Sequence, residues 1–251
     1  MDKKPLNPGY TRREMLKVVG LGSSAVFFGY DRLRFMLAGT ERLESGAWAA
    51  PAPTCVVRPE QTEGPYFVDA KLNRSDIRSD PSDKSISAGM PLRLEFHVSR
   101  IAGGACTALS GAIVDVWHCN ALGAYSDVRD SQFDTRGKKF LRGFQQTSAN
   151  GTAAFLTVYP GWYQGRAVHV HFKIRSAAHG TRAQEFTSQL YFDETVNDQV
   201  FKQAPYNSQR GRRVMNDADF LFRRGGKELL LAPTKSSQGY VAQFDIGLQS
   251  A

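Results

Sequence analysis

One pattern recurs between residues 90 and 250: short runs in which apolar side chains fall on every second position. "PLRLEFHVSR" sets Leu92, Leu94, Phe96 and Val98 on one face, and "GAIVDVWHC" sets Ala112, Val114 and Val116 against Ile113, Asp115 and Trp117. "AAFLTVY", "VHVHFKIR", "FTSQLYF" and "YVAQFDIGL" repeat the theme. Extended backbone sends successive side chains to opposite faces, whereas a helix needs a period of 3.6. Turn formers such as Ala149-Asn150-Gly151 and Tyr159-Pro160-Gly161 separate the runs. A single short helix is expected around Thr195 to Gln203, after "FDE". The pattern predicts an all-β fold, an antiparallel β-sandwich core with few short helices. Residues 51–90, rich in proline, are expected to form an irregular N-terminal arm that wraps it.

The chain has 251 residues, 41% hydrophobic and 22% charged, the balance of an ordinary globular protein. Its net charge of +8 is scattered, with no basic run interleaved with aromatic residues, so a nucleic-acid partner is not expected. At the N-terminus, Arg12-Arg13 precedes an uncharged stretch from Val18 to Tyr30, shorter than the ~20 apolar residues of a membrane span. Small residues at Ala47-Trp48-Ala49 suit a peptidase. Residues 1–49 resemble a bacterial twin-arginine export signal with its linker, leaving 50–251 as the folded domain. The resemblance implies a twin-arginine translocase as partner and a periplasmic or extracellular location, or membrane anchorage if the signal stays uncleaved. Of Cys55, Cys106 and Cys119, one disulfide and one spare thiol are expected in an oxidising compartment, with all three pairings open. Their wide spacing argues against a three-cysteine metal site.

"GWYQGRAVHVHFKIR", Gly161 to Arg175, carries two of the five histidines one residue apart. On a strand, His169 and His171 project the same way about 6.5–7 Å apart at Cα, and Val170, Phe172 and Ile174 face the core. Two such imidazoles can reach one metal ion, with bonds of about 2.0–2.1 Å. Tyr163 lies six residues before His169 in a Pro-Gly-flanked turn, and Arg166 three before. Tyr125 follows a glycine-containing turn after the strand that ends near Cys119. Phenolates are hard anionic oxygen donors, suited to a ferric ion. His118 alternates with Trp117 and reads as structural; His97 and His179 carry no signal.

With these residues in view, the chain from about Pro59 onward resembles the intradiol ring-cleavage dioxygenases. Five motifs carry the resemblance in order: "TEGPYF" (Thr62–Phe67), "GAIVDVWHCNALGAYSD" (Gly111–Asp127), "FLRGFQQTSANGTAAFLTVYPGWY" (Phe140–Tyr163), "GRAVHVHF" (Gly165–Phe172) and "TSQLYF" (Thr187–Phe192). The resemblance implies a mononuclear non-haem Fe(III) held by Tyr125, Tyr163, His169 and His171, with Tyr163 and His171 axial. It implies a catalytic Arg166 that stabilises negative charge on a bound catecholate, and a Gln189 beside the substrate and oxygen cavity. Tyr66 would line the site from the arm. A catechol-type substrate would displace Tyr163, and O2 would open the ring between its hydroxyls to a cis,cis-muconate-type diacid. The short connector from Tyr163 to His169 resembles compact extracytoplasmic members rather than typical protocatechuate enzymes. Two other readings stand beside this one: an exported β-sandwich module that binds metal or aromatic ligands without turnover, and a copper or zinc hydrolase or oxidase using His169 and His171 alone. The ring substituents and any homo-oligomer are left open.

Overall fold

The computed structural model describes residues 56–176 and 184–249; the segment expected to be an export signal, Cys55 and His179 lie outside them. Two mixed sheets form the domain. The first contains β1 (Pro91–Ala102), β2 (Ala105–Ala108), β5 (Thr152–Val158), β9 (Thr234–Ser236) and β10 (Gly239–Gln249). The second runs in the order β4 (Arg142–Gln146), β3 (Ile113–Trp117), β6 (His169–Ser176), β7 (Gln184–Phe192) and β8 (Leu230–Leu231). The all-β expectation holds, with one correction. Most pairs are antiparallel, but β1 runs parallel to β10, with Phe96 beside Phe244, and β7 runs parallel to β8. Alternation within a strand reports which face is buried and nothing about the direction of its neighbour.

Inner faces meet over a core to which Leu92, Leu94, Phe96 and Val98 contribute from β1 and Val170, Phe172 and Ile174 from β6. Phe172 lies 5.3 Å from Phe96 and 5.4 Å from Phe244 between ring centroids, which locks the two sheets together. Burying each such ring stabilises the fold by about 1.5–3 kcal/mol. The helix α1 spans Glu194–Val200, starting one residue before the expected position and stopping short of Gln203. Asp193 caps it by accepting from the Thr195 amide at 2.8 Å, and residues 201–204 turn towards Pro205, which has no N–H with which to continue a helix.

Residues 56–90 hold no strand and bind both sheets, as expected of an arm. Gln61 N–H donates to the Thr187 carbonyl and Phe144 N–H to the Leu72 carbonyl on the second sheet; Ile77 N–H donates to the Leu156 carbonyl on the first. The arm lies over the outward face of the second sheet, where Phe67 packs on Trp117 at 4.8 Å and lies under the Lys173 ammonium at 4.4 Å. Lys173, buried there, is ion-paired with Glu63 of the arm and Glu185 of β7. Of the two cysteines within the described residues, Cys106 is disulfide-bonded and Cys119 is a buried free thiol.

On the outside of the first sheet, His97 joins β1 to β10. Its Nδ1 meets Asp245 at 2.8 Å and its Nε2 meets Glu95 at 2.9 Å. Burial pushes the imidazole pKa down, but the two carboxylates outweigh it and the net shift is upward from 6.5. A raised histidine pKa contributes stability that is complete below the unfolded-state value and disappears as pH climbs through the folded one. Urea unfolding of wild type and His97→Gln between about pH 5.5 and 8.5 is therefore expected to show a stability gap that is largest at the acidic end and closes as pH rises. A gap that widens with pH contradicts the assignment.

Candidate metal centre

Because β6 alternates, its outward face carries His169, His171 and Lys173 while its inward face fills the core. The arm seals that outward face, so both imidazoles are almost wholly buried. Gly64 of the arm lies close against His171: at φ +73° it takes a conformation that L side chains rarely adopt, and an added Cβ would lie 3.2 Å from His171 Cε1. His171 stacks on Trp117, its cross-strand partner, at 5.1 Å and 8°. His169 Nδ1–H donates to the Ala167 carbonyl at 2.7 Å, which fixes the tautomer and leaves the Nε2 lone pair facing inward.

Two loops bring phenols to that nitrogen. The segment after β3 turns at Gly123 and delivers Tyr125, fully buried; the segment after β5 passes Gly161, packed tightly on the Asn120–Ala121 backbone, and delivers Tyr163, partly buried. Tyr125 Oη lies 3.3 Å, Tyr163 Oη 3.2 Å and His171 Nε2 3.0 Å from His169 Nε2. Ligands held about 2.1 Å from one ion at angles of about 90–105° would be about 3.0–3.3 Å apart. The spacing, the two inward-facing ring nitrogens and the two phenols fit a hard trivalent cation at a common centre. His171 Nδ1 is buried with no hydrogen-bond partner, so its ring is held by stacking and by whatever its Nε2 faces. Among the described residues no three His, Cys, Asp or Glu side chains gather for a metal, so the donor set is half phenol and unlike a zinc cluster.

Burial governs protonation here. It holds the His169 pKa down to about 3 and that of His171 well below 6.5, so both rings are neutral at physiological pH. It pushes the Tyr163 phenol up to about 12 and Tyr125 well above 10, while the nearby Arg166 charge pulls both back towards the phenolate. Neutral rings of this kind can ligate, whereas the phenols keep their protons unless a cation were to replace them.

Arg166 is the centre's positive neighbour. Its Nε donates to Asp219 at 2.8 Å, and one terminal nitrogen donates to Gln189 Oε1 at 2.6 Å and to Tyr191 Oη at 3.3 Å. Gln189 Nε2 donates onward to the Thr62 carbonyl, and Tyr191 donates to Gln61, so the arm and β7 together hold the guanidinium. Tyr66 stacks on Tyr125 at 4.4 Å and 20°, but its hydroxyl turns away to donate to Asp130 at 2.8 Å. His118 is structural, as expected: Nδ1–H donates to the Cys119 carbonyl and Nε2 accepts from Thr157.

Sequence reasoning singles out Tyr125, Tyr163, His169 and His171, which the structure gathers into one cluster, and Arg166 and Gln189, which the structure bonds to each other. It misses three supports. Asp219 receives Arg166 and three backbone amides, from Ala167, Leu221 and Phe222. Tyr191, two residues past Gln189 on the same face of β7, had alternation as a signal. Arg142 lies buried against Tyr125's neighbours, donating to both oxygens of Ser126 and to the Tyr66 carbonyl. Asp219→Asn is expected to lower stability by about 3 kcal/mol, the lower end for a broken buried ion pair because Arg166 keeps 13% exposure. Denaturant unfolding checks it; a loss under about 1 kcal/mol, as for a surface pair, rejects the anchoring role.

The chain has known counterparts. The protein-family model described as "Dioxygenase" matches residues 62–221. A chlorocatechol 1,2-dioxygenase from Pseudomonas sp. (strain P51) is 29% identical over 189 residues, covering 64% of this chain and 69% of that protein. One from Pseudomonas putida is 27% identical over 146 residues, covering 52% of each. Among solved structures, an intradiol ring-cleavage dioxygenase from Tetranychus urticae superposes with a TM-score of 0.66 at 30% identity, over 78% of this chain and 95% of that one. The dioxygenase domain of a carbohydrate-binding fusion protein from Streptomyces sp. SirexAA-E gives 0.54 at 26% identity, over 78% and 100%. Matched over more than half its length by the family model, with the fold and the two-phenol, two-imidazole cluster in place, this chain belongs to the intradiol ring-cleavage dioxygenase family.

Proposed function

We propose that the protein is an Fe(III)-dependent intradiol dioxygenase that opens a catechol-type ring between its adjacent hydroxyls. Catechol and O2 combine with no outside reductant: the bond between the two hydroxyl-bearing carbons breaks, and both oxygen atoms enter the resulting cis,cis-muconate-type diacid. The observation that carries this reading is the convergence of two phenol oxygens and an imidazole nitrogen within 3.0–3.3 Å of His169 Nε2. Ferric iron, when bound there, supplies a Lewis acid that chelates the catecholate and draws electron density from its ring.

The chain's own residues supply the rest. Tyr125, His169 and His171 are sealed under the arm and form the fixed part of the site. Tyr163, partly exposed, is the donor free to yield its place to substrate and to take up a hydroxyl proton as it leaves. Arg166, held by Asp219 and Gln189, stabilises the negative charge that catechol acquires on losing its protons. The arm excludes water from His171 and Trp117.

We infer also that the enzyme works outside the cytoplasm, delivered by the twin-arginine translocase. Arg12-Arg13 before an uncharged stretch supports it, as does the disulfide at Cys106, a bond rare in reducing compartments.

The iron-loaded protein is expected to show a broad red-brown tyrosinate-to-iron band and to consume O2 with catechol. Tyr125→Phe and His169→Ala are expected to lose the band and most of the iron. Arg166→Ala keeps the band and loses about 10²–10³-fold in kcat. A colourless wild type that takes up zinc in preference to ferric ion defeats the reading, and a coloured one that consumes no O2 with any catechol favours a binding module. Ferric loading is also expected to release about two protons per ion, one from each phenol, so apparent affinity rises up to about 100-fold per pH unit between about pH 6 and 8. Proton counting with a pH indicator, corrected for the iron donor, checks this; no release means that the phenols do not ligate.

A further inference from the structure

A cleft of about 430 Å³ opens on the solvent side of Tyr163. Tyr163 and Phe133 line it and also belong to the aromatic cluster around Tyr125, so the cleft and the four-donor centre share a wall. Trp162 and Leu122 add apolar surface, Leu122 being 52% exposed. The far wall is firmly built. Gln209 Nε2 donates to the Trp162 carbonyl at 2.6 Å, and Gly211 lies against the indole so closely that an added Cβ would sit 3.2 Å from its edge.

Charge distinguishes this wall. Arg213 is ion-paired with Glu194 and Asp198, whereas Arg210 and Arg212, exposed at the cleft, pair with no carboxylate among the described residues. Nothing in the proposed chemistry uses these two cations. The volume lies within the range of about 300–1,000 Å³ that accepts a drug-sized ligand, more than one dihydroxybenzene ring requires. Aromatic and aliphatic walls favour hydrocarbon, and a guanidinium pair recognises an oxyanion through charge-assisted, fork-shaped hydrogen bonds.

We propose that this cleft is a substituent subsite, and that the preferred substrates are catechols bearing an extended arm that ends in an anionic group such as a carboxylate. The arm lies along Trp162 and Phe133, and the anion meets Arg210 and Arg212. This rests on the catechol-cleaving reading of the adjacent centre and names its substrate class.

The test uses the iron-loaded full chain and three ligands: catechol, 3-(3,4-dihydroxyphenyl)propionate and the methyl ester of that acid. Binding is measured by calorimetry without O2, so that no turnover intervenes, for wild type and for the Arg210→Gln/Arg212→Gln double variant. The acid is expected to bind wild type about tenfold more tightly than the ester, and the double variant to lose that preference while its affinity for catechol is unchanged. Equal binding of acid and ester by wild type overturns the subsite, as does a preference that survives the double substitution. Turnover in air separates the two claims. Catechol bound yet uncleaved refutes the enzymatic reading; catechol cleaved without an acid preference refutes the subsite alone.

Discussion

Burial of β6 on both faces is the constraint from which the site follows. A strand with one solvated face could carry two histidines at little energetic cost, and they would titrate as ordinary surface imidazoles. Here Val170, Phe172 and Ile174 are closed off by the first sheet, and His169, His171 and Lys173 by the arm. Polar groups so placed must find partners. Lys173 has Glu63 and Glu185, and His169 Nδ1 has the Ala167 carbonyl. The inward ring nitrogens have only each other and two phenols. A lone-pair cluster in a dry interior is stable when a cation or a shared set of protons sits among it, which is why burial, rather than any one residue, converts a common His-x-His pattern into a geometry that fits a metal ion.

The surroundings of the cluster tilt it further. Two guanidiniums flank the phenols. Arg166 is anchored by the buried Asp219, while Arg142 meets neutral oxygens of Ser126 and Tyr66 and, among the described residues, no carboxylate directly. Burial brings the Arg142 pKa down to about 10, which still leaves it charged at neutral pH, and Tyr125 lies within reach of its field. These two positive charges reduce the penalty for forming phenolates in a medium that otherwise resists them. Neutral imidazoles and latent phenolates thus come from one environment acting on two residue types.

How much of this the sequence reveals depends on the range of each interaction. Strand faces are local, and Leu92 to Val98 or Val170 to Ile174 point where alternation says. The four donors and Arg166 fall in stretches whose order resembles a known family, and they meet in space. Direction and partnership of distant strands are not local: nothing in "PLRLEFHVSR" announces that it runs parallel to a strand ending at Gln249. Asp219 lies in a polar segment 53 residues from the arginine it holds, and a lone aspartate there looks like any surface turn. Arg142 is equally silent in the sequence, because a buried arginine held by the neutral oxygens of Ser126 and Tyr66 has no local signature.

The four donors are unequal, and the inequality has a direction. Tyr125 is fully buried, its ring stacked on Tyr66, and the two histidines keep 1–2% exposure under Gly64 and Trp117. Displacing any of these would open a packed interior. Tyr163 contacts the others edge-on, at 76° to Tyr125 and 86° to Tyr66, and its far side borders open volume. Rotation of its ring away from His169 would give up the 3.2 Å contact there and the hydroxyl's bonds to Tyr125 and Arg166, and would carry the ring towards the cleft. A site of this kind has three rigid corners and one hinged one. The hinged corner opens onto the cleft with the two uncommitted arginines, so the motion that would admit a catechol to the centre also joins the centre to the space where a substituent would lie.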